Sequence, residues 1–160
     1  MIKRDPKIGH YWPGVYRIKD MLRSVRETAP EKRNAFVVHS ERASGKTTGL
    51  EQFVAERTLI LPFEEKIAVI CPNNEIANRF GETFVEDFPT LRPPIILNGS
   101  SSTILEQNIA GQAEIVEVYI EEIFLLSPRT VDWIRAYYGS RFIAGVGTLE
   151  HTALINVVDW

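Results

Sequence analysis

Cysteine is almost absent from this chain: Cys71 is the only one in 160 residues. No internal disulfide can form, and a lone thiol fits a reducing compartment. Long apolar runs are also missing. No stretch is long enough to span a bilayer, and the opening residues MIKRDPKIGH lack the apolar core of a signal peptide. No membrane partner is therefore expected. Basic charge is not in excess either, since the formal net charge is -3. A global basic footprint for nucleic acid is excluded, so any such contact must be local or shared with a partner. His10, His39 and His151 stand at no metal-ligand spacing with one another or with Cys71. Internal repeats and low-complexity runs are absent as well. Against these absences stands an ordinary globular composition, 44% hydrophobic and 24% charged. Its length suits one domain with a proper core.

The chain divides into alternating apolar runs and helical patterns. Residues 1–14 read as a loose lead-in, with "YWPG" (Tyr11 to Gly14) as a turn. Val15 to Thr28 carries Ile18, Met21, Leu22 and Val25 at helical spacing. "NAFVVHS" (Asn34 to Ser40) and "KIAVICP" (Lys66 to Pro72) read as buried strands. A helix from Lys46, with Leu50, Phe53, Val54 and Leu59 apolar, ends before Pro62. A second runs from about Asn74 to Phe88, with Ile76, Phe80, Phe84, Val85 and Phe88 on one side. "PPIILNGSSS" gives a short strand turning at Asn98-Gly99, and "AEIVEVYIEEIF" gives a strand ending in two glutamates. Ser127-Pro128 opens a helix to about Tyr138, as proline suits a first turn. "RFIAGVGT" and "ALINVVDW" are further strands. Continuous apolar strands alternating with helices predict a mostly parallel sheet covered on both faces, a three-layer α/β sandwich. Ligands bind such sheets at the carboxyl ends of strands, which puts Ser40–Thr48, Glu121–Glu122 and Thr148 on one edge.

The stretch "HSERASGKTT" ends in the Gly-Lys-Thr of a phosphate-binding loop, although Ser40 stands where the usual pattern has its first glycine. The tripeptide alone decides little, since roughly one chain in ten of this length would carry it by chance. Its setting decides more, because a predicted strand leads in and a predicted helix leads out. Backbone N–H groups of such a loop surround phosphate oxygens. Lys46 would then reach the β- and γ-phosphates of a nucleotide, Thr47 would offer its hydroxyl to Mg²⁺, and Gly45 would allow close backbone approach. A second strand ending in an acid that holds Mg²⁺ completes such sites, and "VYIEEI" supplies Glu121 there with Glu122 beside it.

Arg42 lies three residues before Gly45, which a phosphate loop does not require. With it, "SERASGKTT" resembles the loop of the ATPase domain of tailed-phage terminase large subunits, the motors that package DNA. "VYRIKDMLRSV" is similar to that family's adenine-side segment, with Ile18 where one branch has glutamine. "NNEIANRFGETFVEDFPTL", "LNGSSS" and "VYIEEIFLLSPRTVDW" resemble the segments that follow, and "FIAGVGTLEHTALINVVDW" resembles the coupling motif and what comes after it. The likeness spans nearly the whole chain in order. It departs at Ser40, at Ile18, at Glu122 and at Gly147-Thr148-Leu149.

The resemblance implies a RecA-like P-loop NTPase fold over residues 1–160 and hydrolysis of ATP with Mg²⁺. ATP would lie against Ser40, Glu41, Arg42, Ala43, Ser44, Gly45, Lys46, Thr47 and Thr48, with Mg²⁺ held by Thr47 and Glu121. Glu122 would activate water, Arg42 and Lys46 would stabilise the transferred phosphoryl group, and Thr148 would couple hydrolysis to movement. Double-stranded DNA, a portal or capsid, a small terminase subunit and a homo-oligomeric ring are the partners it implies, in host cytoplasm. The family's nuclease domain would begin where this chain ends, so no DNA cleavage is expected. Arg129, Arg135 and Arg141 follow the acidic strand, and solvated charge is the plainer reading of each against a finger reaching across a subunit interface. Two other readings compete: a helicase-like or accessory nucleic-acid ATPase, and a nucleotide-binding regulatory module without turnover.

Overall fold

The computed structural model describes residues 12–29, 37–39, 45–109, 114–147 and 157–158, with backbone only at 12, 13, 37–39, 157 and 158. Helices are α1 (Trp12–Glu27), α2 (Lys46–Ile60), α3 (Asn74–Asp87), α4 (Ser102–Ile109) and α5 (Pro128–Tyr138). Strands are β1 (Val37–His39), β2 (Lys66–Cys71), β3 (Ile95–Asn98), β4 (Ile115–Glu121), β5 (Phe142–Gly147) and β6 (Val157–Val158). They form one six-stranded sheet in the order β3-β2-β4-β5-β1-β6, and every pairing is parallel.

Side-chain alternation explains the layers. On β2, Ile67, Val69 and Cys71 join one core with α1, α2 and α3, whereas Ala68 and Ile70 join a second with α4 and α5. The chain steps toward the β3 edge through α2 and α3 on one face. It steps back through α4 and α5 on the other, as right-handed crossovers require. The expected parallel sheet with helices on both sides is present, and among the described residues no helix is long and apolar enough to cross a membrane.

The structure corrects several sequence expectations. Trp12, Pro13 and Gly14 form the first turn of α1 rather than a loose turn, because proline lacks only an N–H that a first turn leaves unpaired anyway. Helix α4 was not foreseen; its short pattern buries only Leu105 and Ile109. Leu59 is 70% exposed and Val85 53%, and on α2 Ala55 and Thr58 take the inner positions instead. Helix starts follow local chemistry. Asn73 accepts from the Ile76 N–H at 2.9 Å, and Ser127 accepts from the Thr130 N–H at 3.1 Å ahead of Pro128.

Candidate functional site

Strand register brings the expected site to one edge. Glu121 lies opposite Val146, and His39 lies opposite Gly147, so β4, β5 and β1 end nearly level. The loop after β1 and the glutamates after β4 therefore leave the sheet together. Ser40, Glu41, Arg42, Ala43 and Ser44 lie outside the described residues, as do Thr148 and Tyr11. Gly45, Lys46, Thr47, Thr48, Glu121 and Glu122 are within them.

Gly45 caps the start of α2 at φ +90°, a conformation that glycine adopts without steric cost. Lys46 and Thr47 follow in the first turn, where N–H groups without an intrahelical acceptor and the helix dipole favour an anion. Lys46 is buried, an uncommon state for a lysine. The Thr47 hydroxyl is near enough to the Glu121 carboxylate to favour its charged form, and the Lys46 ammonium is near enough to act on it electrostatically. Thr47 and Glu121, expected to share one cation, are thus neighbours.

Glu121 is 2% exposed, and its Oε1 has no hydrogen-bond partner. A buried acceptor left unpaired is costly unless something else satisfies it. Burial first, then the Glu122 charge, pushes its carboxyl up to about 7, against the pull of Thr47, the Glu122 backbone and Lys46. Glu122 is half-exposed and sits at φ 53°, alone among the described non-glycine residues in having positive φ. This left-handed residue starts the 3-10 turn Ile123–Leu125, closed by the Leu125 N–H on the Glu122 carbonyl at 2.9 Å. Such a conformation costs about 1 kcal/mol and gathers at functional sites.

The turn is seated by packing. A Cβ on Gly145 would come within 2.6 Å of Ile123, and one on Gly147 within 2.9 Å of Phe124. Beside Glu121, at the end of β2, burial and then the Glu121 charge push the Cys71 thiol well up, so it is no thiolate nucleophile. Ile18 is fully buried against Gly49 and works as core. Among the described residues no three His, Cys, Asp or Glu side chains converge as a metal cluster. Mg²⁺ does not need one, as it binds through one or two carboxylates plus phosphates and water.

No protein-family model matches this sequence, and no curated protein matches it.

Arg141 is not solvated charge. Its guanidinium donates to the carbonyls of Ile115, Tyr138 and Tyr137 and covers the Tyr138 ring at the far end of the sheet. Trp133 stacks on Tyr137 at 4.9 Å, while Tyr138 is buried.

One group escaped the sequence reading. Glu117 lies in β4 on the face that also carries Tyr119 and Glu121, and it is 4% exposed. Arg57 donates to it through Nη2 at 2.6 Å and through Nε at 3.1 Å. Arg26 donates at 3.3 Å, and the Tyr119 hydroxyl at 2.7 Å. The signal was available: a glutamate in the middle of an apolar strand needs a buried partner.

Proposed function

We propose that this domain is an Mg²⁺-dependent P-loop ATPase of RecA-like type, of the class that drives terminase-like DNA packaging. The carrying observation is that Thr47, at the first turn of α2, neighbours a buried Glu121 that keeps one oxygen unpaired. Two oxygen ligands, a hydroxyl and a carboxylate, beside a buried lysine suit a hard cation next to phosphate.

Thr47 and Glu121 would hold Mg²⁺, which when bound neutralises charge on the β- and γ-phosphates. The N–H groups at the start of α2 and Lys46 bind phosphate oxygens and fix the γ-phosphorus in place. Glu122, next along the chain and held in its left-handed turn, orients a water and takes its proton. The water oxygen bonds to the γ-phosphorus as the bond to the β–γ bridging oxygen breaks. Arg42 and Lys46 stabilise the charge that develops. Thr148, following β5, passes the change on to a partner. Double-stranded DNA and a portal or small terminase subunit are the partners the resemblance implies, with a ring of copies as the assembly.

Phosphate release from ATP with Mg²⁺, measured for wild type, Lys46→Ala and Glu122→Gln, tests this reading. Both variants should lose about 100-fold or more in kcat. Equal rates for all three would overturn it, and ATP binding without turnover in the wild type would favour a regulatory module instead.

A further inference from the structure

We infer that α1 braces the phosphate loop and that Val15 is the positioning residue through which it acts, an inference that rests on the proposed nucleotide site. Gly45 and Gly49 are four residues apart, so they share one face at the start of α2. That face is turned toward α1. A Cβ on Gly45 would meet Val15 Cγ2 at 2.8 Å and the Val15 nitrogen at 3.1 Å. A Cβ on Gly49 would meet Ile18 Cβ and Cγ2 at 2.8 Å and the Val15 carbonyl oxygen at 3.3 Å. The α1 backbone therefore lies directly on the turn that delivers Lys46 and Thr47. Val15 and Ile18 are fully buried, so this contact is packed core.

Polar contacts fasten α1 along the rest of its length. Lys19 pairs with Glu56, Arg23 with Glu56 at 3.2 Å, and Arg26 with Glu117 at 3.3 Å. The helix is thus held on α2 and β4 while its first turns press on Gly45 and Gly49. Gly45 serves two demands at once. Its φ of +90° is one that glycine adopts without strain, and its missing Cβ admits Val15. Removing Val15 methyls frees Gly45 to shift, and Lys46 and Thr47 shift with it. Misplacing Lys46 and Thr47 by a fraction of an ångström weakens phosphate and Mg²⁺ binding and slows turnover with it.

The test is affinity of the full chain for Mg²⁺·ADP by titration calorimetry, with KM and kcat for ATP, at a temperature where each variant is folded. Val15→Ala should weaken Mg²⁺·ADP about tenfold and raise KM alike, and kcat should fall with them because Lys46 also serves the transition state. Val15→Thr, equal in shape, should restore affinity. Gly49→Ala drives a wedge under α1 where Val15→Ala leaves a void, and it should weaken binding too; it decides the matter if Val15→Ala does not fold. Leu105→Ala, a cavity in the opposite core, should lower the melting temperature yet leave affinity unchanged. Wild-type affinity in Val15→Ala and Gly49→Ala would overturn the inference alone, as would equal weakening in Leu105→Ala. A wild type that binds no Mg²⁺·ADP would overturn both this inference and the nucleotide site.

Discussion

Glu117 and Glu121 share one face of one strand, with Tyr119 between them, and both are buried. Their surroundings differ completely. Around Glu117, two arginines and a tyrosine hydroxyl converge at the end of the sheet away from the phosphate loop. Burial alone would raise its carboxyl, but the bonds from Arg57 and Tyr119 and the charges of Arg57 and Arg26 bring it below the ordinary value. Glu121 has Thr47 on one side and nothing on Oε1, and burial leaves it near 7. Closed hydrogen bonding makes the first a structural anchor. The second keeps an oxygen open, as the proposed cation site would require. Two carboxyls pushed apart in this way mark different roles.

The comparison can be broken first at Glu117. Glu117→Gln leaves the buried Arg57 charge uncompensated and should cost about 3 kcal/mol or more in urea unfolding. A loss under about 1 kcal/mol would show the cluster to be dispensable.

The pH dependence should separate the two glutamates in sign. Glu121 rises from its ordinary 4.5 to about 7, so between those values the folded chain keeps a proton that the unfolded chain has released. Its unfavourable term is absent below pH 4.5 and complete above about 7, on the order of 3 kcal/mol. In Mg²⁺-free buffer the stability of wild type relative to Glu121→Gln should fall across that window, and parallel curves would refute the assignment. Glu117 is shifted the other way. Its contribution is present above the ordinary 4.5 and is lost as pH falls through its lower native value.

The smallest effect is expected at Tyr119→Phe. It removes one hydrogen bond to Glu117 and keeps the ring against Phe53 (edge-on, centroids 5.9 Å apart), so about 1 kcal/mol should be lost in the same unfolding measurement.

Much of the layout was legible in the chain. Apolar runs marked β2, β4 and β5, and Ser127-Pro128 marked the start of α5, because these signals are local. The site was legible as a pair of candidates, Lys46-Thr47 and Glu121-Glu122. Leu59 and Val85 were misplaced, since helical spacing shows that a face is apolar but not how much of it neighbours will cover. Arg141 looked like free charge because its partners are carbonyls, which leave no mark in a sequence.

By itself, the sequence determined the alternation of elements, the parallel arrangement and the residue types at the candidate site. Period, capping and turn chemistry operate over a few residues, so these are written where they act. Only the tertiary structure decided that Thr47 neighbours Glu121, that Val15 lies on Gly45, and that one glutamate of β4 is paired while another keeps a free oxygen. Those outcomes depend on which helix crosses which strand end, and on the low dielectric produced when they close together. Strand order and register set that meeting, and neither is encoded in any one segment.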